Sequence, residues 1–290
     1  MSVRVIARLD IKGPNLVKGI HLEGLRVLGR PERFARHYYE AGADELLYLD
    51  VVASLYGRNS LVDIVARTAQ EIFIPLTVGG GLRTIEDIRT VLLAGADKVA
   101  LNTAALRRPE FVREAVRRFG SSTVVVSVEA IRQADGRYEA YTDNGRERTG
   151  VDALEWAKRA ADLGAGEILI TSIDREGTGK GFDLGLTRAV ADAVPVPVIA
   201  GGGAGKIAHV WEVVVEGGAD AVSVASLLHY NAIRHIDRVE TAGAEGNTEY
   251  LRRNQPGFSG VEDATLPEIK AYLLARGVEC RPAPSVTSSV

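Results

Sequence analysis

The stretch Ile74-Pro-Leu-Thr-Val-Gly-Gly-Gly81 reads against Val196-Pro-Val-Ile-Ala-Gly-Gly-Gly203, an offset of 122 residues. Each copy is a short apolar run closed by three glycines and followed by an amphipathic stretch, the pattern of a βα unit. Working outward, Ala94-Gly-Ala-Asp97 answers Gly217-Gly-Ala-Asp220, Glu45-Leu-Leu answers Glu167-Ile-Leu, and Val5 to Asp10 answers Val124 to Glu129. Strands are expected at Val3–Leu9, Glu45–Asp50, Ile74–Val78, Lys98–Leu101, Thr123–Glu129, Glu167–Ser172, Val196–Ala200 and Ala221–Val224, with helical patterns such as Pro31–Ala41 and Thr84–Leu93 between them. Eight such units close into a (β/α)8 TIM barrel with a two-fold internal half-barrel repeat. Neither half can bury its sheet alone, so the repeat predicts one domain over 1–281. A doubly wound open sheet is the competing architecture. The stretch 231–264 reads as an insertion before a closing helix at Leu266–Arg276, and 282–290 as a disordered tail.

Composition narrows the chemistry. Of 290 residues, 46% are hydrophobic and 25% charged, as in soluble globular proteins. With 35 Lys and Arg against 38 Asp and Glu the net charge is −3, so no basic field favours nucleic acid. The single cysteine, Cys280, excludes an intrachain disulfide, and His21, His37, His209, His229 and His235 lack metal-ligand spacing. No metal or cofactor is expected. Charges interrupt the N-terminal apolar run at Arg4, Arg8 and Asp10, and nowhere do eighteen apolar residues run together, so the expectation is a cytoplasmic protein without a membrane contact. Tyr38, Tyr39, Trp156 and Trp211 lie in helical patterns and read as packing residues.

In a parallel barrel the active site forms at the C-terminal ends of the strands. Asp10 ends the first expected strand and Glu129 the fifth, which face each other across the mouth, an arrangement suited to acid/base work. The alternative is that each orders its own loop or pairs with Lys12 or Lys18. The glycine runs 79–81 and 201–203 let backbone N–H groups approach an anion. Asn102-Thr103 and Ala225-Ser226, opening helical segments beside them, favour phosphate. Two related anion sites on one mouth imply a substrate with two phosphates. At the opposite end, Arg4, Glu45, Lys98 and Glu167 can form a closed ring of two cations and two anions. On composition alone such a ring is a stability feature.

These residues carry a resemblance to a known family. Leu9-Asp10-Ile-Lys12 with Val17-Lys18-Gly19, Ala43-Asp-Glu45, Phe73 to Gly81, Gly95-Ala-Asp-Lys98 with Asn102-Thr103, Gly164 to Asp174, Val198 to Gly205 and Gly217-Gly-Ala-Asp220 resemble the cyclase subunit of imidazole glycerol phosphate synthase over about 1–230 and again over 265–281. The resemblance implies a cyclase/lyase that uses ammonia on a bisphosphorylated ribulosyl aminoimidazole carboxamide ribonucleotide, yielding imidazole glycerol phosphate and aminoimidazole carboxamide ribonucleotide. It implies a class I glutaminase docked on the lower barrel face, with ammonia passing a gate at Arg4, Glu45, Lys98 and Glu167. It assigns catalysis to Asp10 and Glu129 and phosphate contacts to Gly81, Asn102, Thr103, Gly177, Gly202, Gly203, Ala225 and Ser226, with Lys18, Asp50, Thr171 and Ser172 as further substrate-contact candidates.

Three departures stand out. Glu129 replaces the family's second catalytic aspartate, Arg8 replaces a small cysteine, and the first loop reads Gly13-Pro14-Asn15-Leu16, with the 231–264 insertion foreign to the family. They resemble features of paralogues that pass ammonia to a sugar amidation enzyme. That reading and a non-catalytic scaffold that only activates a glutaminase are the alternatives.

Overall fold

The computed structural model describes residues 2–53, 61–236 and 260–284. Twelve strands are found in them: β1 (Arg4–Lys12), β2 (Asn15–Ile20), β3 (Glu23–Gly29), β4 (Glu45–Asp50), β5 (Leu76–Gly79), β6 (Lys98–Leu101), β7 (Val124–Arg132), β8 (Tyr138–Thr142), β9 (Glu147–Asp152), β10 (Glu167–Ser172), β11 (Val198–Gly201) and β12 (Ala221–Val224). The helices are α1 (Pro31–Glu40), α2 (Val62–Ala69), α3 (Ile85–Leu93), α4 (Thr103–Arg107), α5 (Glu110–Phe119), α6 (Ala153–Asp162), α7 (Leu184–Ala193), α8 (Ile207–Val215), α9 (Ser226–Ala232) and α10 (Leu266–Leu274). Eight strands pair in parallel in the order β1-β4-β5-β6-β7-β10-β11-β12, and β12 returns to β1, closing the barrel. An open sheet is thereby excluded.

Four barrel strands, β4, β6, β10 and β12, occupy the expected residues. Two begin later, at Leu76 and Val198, because Pro75 and Pro197 have no N–H to give a central ladder. The first and fifth run on past Asp10 and Glu129 and fold back as antiparallel extensions, β1 into β2 and β3, β7 into β8 and β9. Gly13, at φ 58°, makes the first of these turns. The expected insertion begins on α9 and a turn through residue 236; its 237–259 portion lies outside the described residues, as does 285–290 of the expected tail.

The Gly-Ala-Asp repeat has a physical task. The carboxylates of Asp44, Asp97 and Asp220 accept the backbone N–H of Val5, Leu76 and Val198 at 2.8, 2.8 and 2.9 Å, each tying the start of a neighbouring strand. Asp44 does more. Its other oxygen meets Lys270 Nζ at 2.7 Å and Arg281 Nε at 2.9 Å, and Lys270, on α10, is fully buried. Arg281 also donates to the carbonyls of Gly42 and Ala43, and Val3 bridges to Cys280. The segment after α10 is thus fastened under the first barrel strand.

Replacing Asp44 by Ala strands the Lys270 ammonium in an apolar setting and should lower unfolding free energy by about 3–5 kcal/mol in urea titrations. Adding Lys270→Met should recover part of that loss. A double variant no more stable than Asp44→Ala would show that the pair does not hold the closure.

Candidate active site

Side chains alternate along a strand, so every second residue of the barrel strands enters the lumen. Arg4, Glu45, Lys98 and Glu167 are the first residues of β1, β4, β6 and β10, and their side chains meet at the lower end. Arg4 pairs with Glu45 and Glu167, both at 2.9 Å; Lys98 pairs with the same two carboxylates at 3.0 and 2.8 Å. The ring is closed. The Thr77 hydroxyl donates to the second oxygen of Glu45. Burial alone would raise the pKa of Glu167, but hydrogen bonds and charge from Arg4 and Lys98 outweigh it and hold the carboxyl below its usual range.

Above the ring lies an apolar layer of Ile6, Leu47, Ala100, Val125, Leu169, Ile199 and Ala221. Two residues further along β1 comes Arg8, and two further Asp10; two and four residues beyond Val125 on β7 come Ser127 and Glu129. Asp10 and Glu129 are thus placed by one alternation on opposite strands of the same lumen, both buried. Asp10 accepts from Arg8 Nε at 2.8 Å and lies 3.8 Å from Lys18 Nζ. The expected alternative partner Lys18 is therefore real, and it comes from β2. Glu129 receives the Gly145 backbone N–H, while its Oε2 has no hydrogen-bond partner among the described residues. Burial pushes its pKa up to about 7, against the charge of Arg8 and the Gly145 contact, with Asp10 and Glu176 adding to the rise.

Glu176 is the member of this group that sequence reasoning passed over. It lies in the loop after β10, pairs with Lys18, and has Oε2 4.0 Å from Arg8 Nη1. Its carboxyl resists burial because Lys18 and Arg8 hold it ionised, below its ordinary range. The signal that picked out Asp10, a carboxyl at the C-terminal end of a barrel strand, was available in Asp174-Arg175-Glu176-Gly177 too.

A cavity of about 300 Å³ opens beside Glu129. Of the expected site residues, Gly81, Asn102, Thr103 and Asp50 line it; Ser127, Asn144, Arg83, Arg107 and Arg108, not foreseen, also border it. Gly177, Gly202, Gly203, Ala225 and Ser226 are buried elsewhere, around the opposite strands. A Cβ at Gly202 would lie 2.7 Å from the Ser172 carbonyl oxygen and 3.2 Å from Glu176 Oε2. A Cβ at Gly177 would lie 2.5 Å from the Gly19 carbonyl oxygen, so this loop packs on β2. Thr171 and Ser172 end β10 beneath it, both buried. The first of the two expected anion sites is thus open and the second is covered.

The two sites nevertheless share a conformation. Asn102, preceding α4, has φ −126° and ψ −89°; Ala225, preceding α9, has φ −124° and ψ −82°. The strand following the barrel's first exit also closes over the mouth: His21 N–H donates to the Glu176 carbonyl at 2.8 Å, and Leu22 packs with Tyr141 and Ile173. His21 and Leu22 both hold positive φ, a strained turn kept by these contacts. Among the described residues no group of three or more His, Cys, Asp or Glu is placed to hold a metal, and no helix is long and apolar enough to cross a membrane.

Comparison with known proteins agrees with this architecture. The family described as "Histidine biosynthesis protein" matches residues 4–234. The imidazole glycerol phosphate synthase subunit HisF of Legionella pneumophila is 60% identical over 206 residues, covering 71% of this chain and 97% of that relative. With a family match across most of the chain and this identity over a closed eight-stranded barrel, the chain belongs to the histidine biosynthesis protein family, alongside HisF.

Proposed function

We propose that the chain is the cyclase subunit of imidazole glycerol phosphate synthase, taking ammonia from a glutaminase and using it on a bisphosphorylated ribulosyl aminoimidazole carboxamide ribonucleotide. The observation that carries this reading is that one lumen has a closed ring of four charges at its lower end and a pair of opposed carboxyls at its upper end. Ammonia entering past the ring attacks the ribulosyl carbonyl. Glu129, its carboxyl kept protonated near neutrality by burial, donates the proton that the carbonyl oxygen needs to leave as water. Asp10, fixed by Arg8 and Lys18, accepts the proton released by the attacking nitrogen. Ring closure then expels the aminoimidazole ribonucleotide. One phosphate sits at Gly81, Asn102 and Thr103; the other sits at Gly177, Gly202, Gly203, Ala225 and Ser226 once β2 and the Glu176 loop move aside.

The lower face suits a protein partner. Phe73 is 81% exposed and Leu93 75%, both near the lower ends of β5 and β6, an apolar rim beside the ring. We assign this face to a class I glutaminase, in a soluble complex of the cytoplasm. A second reading, ammonia transfer to a different acceptor such as a sugar, is favoured by Arg8, which fills lumen space below the acid/base pair.

Purified protein given ammonium at high pH should consume the bisphosphate without a partner, and Glu129→Gln should reduce kcat by about 10²–10⁴-fold. Since the donor must carry its proton, the rate per free NH₃ should fall as pH rises through about 7. Wild-type turnover no greater than that of the variant would turn the assignment to the second reading. Opening the ring by Lys98→Met should impair glutamine-driven turnover more than ammonia-driven turnover in the complex. Equal loss of both, or no complex with a glutaminase, would count against ammonia passage through the ring.

A further inference from the structure

We propose that Arg8 is a positioning residue for the acid/base pair, a guanidinium set inside the barrel that orients Asp10 and holds the surrounding carboxyls in one cluster. The proposal rests on the cyclase reading for its kinetic part, and on geometry for the rest.

Arg8 shares its face of β1 with Ile6 and Asp10, so its backbone lies between the apolar layer and the mouth. The side chain is 2% exposed. Neighbours on one face of a strand stand about 6.5–7 Å apart, a distance an arginine spans with its aliphatic stem. Its Nε then reaches Asp10 Oδ1 at 2.8 Å while Nη1 turns to Glu176 Oε2 at 4.0 Å. A planar fork can face two carboxylates in this way; an ammonium has no such fixed edges.

The groups around it come from four elements. Asp10 is on the same strand, Lys18 on β2, Glu129 on β7 and Glu176 in the loop after β10. Behind β1, His229 on α9 is buried, hydrogen-bonded to Tyr38 at 2.6 Å, and pushed down to about 3 by burial, so it adds no charge. Three buried carboxyls therefore face two cations, Arg8 and Lys18. Without Arg8, one cation would remain for three carboxyls in a water-poor lumen, an expensive imbalance. Further up the lumen from the apolar layer, Ser223 Oγ, two residues beyond Ala221 on β12, and Glu129 Oε2 are buried polar atoms with no hydrogen-bond partner among the described residues. They leave hydrogen-bonding capacity for a reacting group beside the guanidinium. Arg8 thus acts on the reaction through Asp10 and Glu129.

The test uses the full chain with Arg8→Met and Arg8→Lys. The Glu129 carboxyl is followed by ¹³C NMR through a pH titration, and ammonia-driven turnover is measured per free NH₃. In wild type the Glu129 midpoint should lie near 7. Losing the neighbouring cation should raise it by about one pH unit in Arg8→Met. The same variant should lose kcat by about 10–100-fold, with KM changed less. Arg8→Lys should return the midpoint toward wild type while regaining only part of kcat. An unchanged Glu129 midpoint in Arg8→Met, or full kcat in Arg8→Lys, would overturn the proposal. If Arg8→Met does not fold, the Arg8→Lys comparison decides it by the same two readouts. Absence of turnover in the wild type would overturn the cyclase reading, and the NMR midpoints would still decide whether Arg8 sets the state of Glu129.

Discussion

A charge that points into the lumen of a closed barrel has almost no water to answer it, so each must be met by an opposite charge from another strand. That constraint organises both ends of this molecule. At the lower end two cations and two anions alternate across four strands and leave nothing unmatched. At the upper end three carboxyls meet two cations, and burial raises the affinity of Glu129 for a proton, with Asp10 and Glu176 adding to the rise. One rule of electrostatics thus gives a quiet ring below and a proton-carrying site above.

Much of the architecture was legible in the residues because the barrel repeats one pattern. The apolar runs bounded by charged starts at Glu45, Lys98 and Glu167 coincide with strands that begin on those residues, since a charge entering the lumen at the lower rim marks where the ladder begins. The glycine-rich repeat led to both halves, and the matched backbone angles at Asn102 and Ala225 show that the correspondence extends to conformation. The antiparallel extensions escaped notice. β9 is largely exposed, so its residues carry no alternation of apolar and polar that would mark a strand. β2 is buried along most of its length but contains Lys18, whose burial is explained by Glu176, far along the chain, and by Asp10.

The candidate site was legible in the placement of its carboxyls and of the residues that line one cavity, and less so in what surrounds them. Asp10 and Glu129 could be paired from their matching places in the two halves, but the cations that hold Asp10 come from its own strand and from a hairpin that local pattern did not disclose. The arginines at 83 and 108 sit on loops and Arg107 ends the short α4, where no periodicity indicates which way a side chain faces the cavity. The unequal state of the two sites is likewise a tertiary fact: near-identical local geometry is open on one side and packed under the β2 contact on the other.

The fastening of Asp44 by Lys270 and Arg281 links positions 226 and 237 residues apart. During synthesis the first strand is made early, yet the ammonium that neutralises the carboxylate beneath it emerges only after nearly every other element. Until then Asp44 has to stay hydrated, and the segment after α10 cannot be fastened beneath the first strand. A partial chain lacking β12 leaves the edge of β1 unpaired, the kind of exposed strand that favours association between chains.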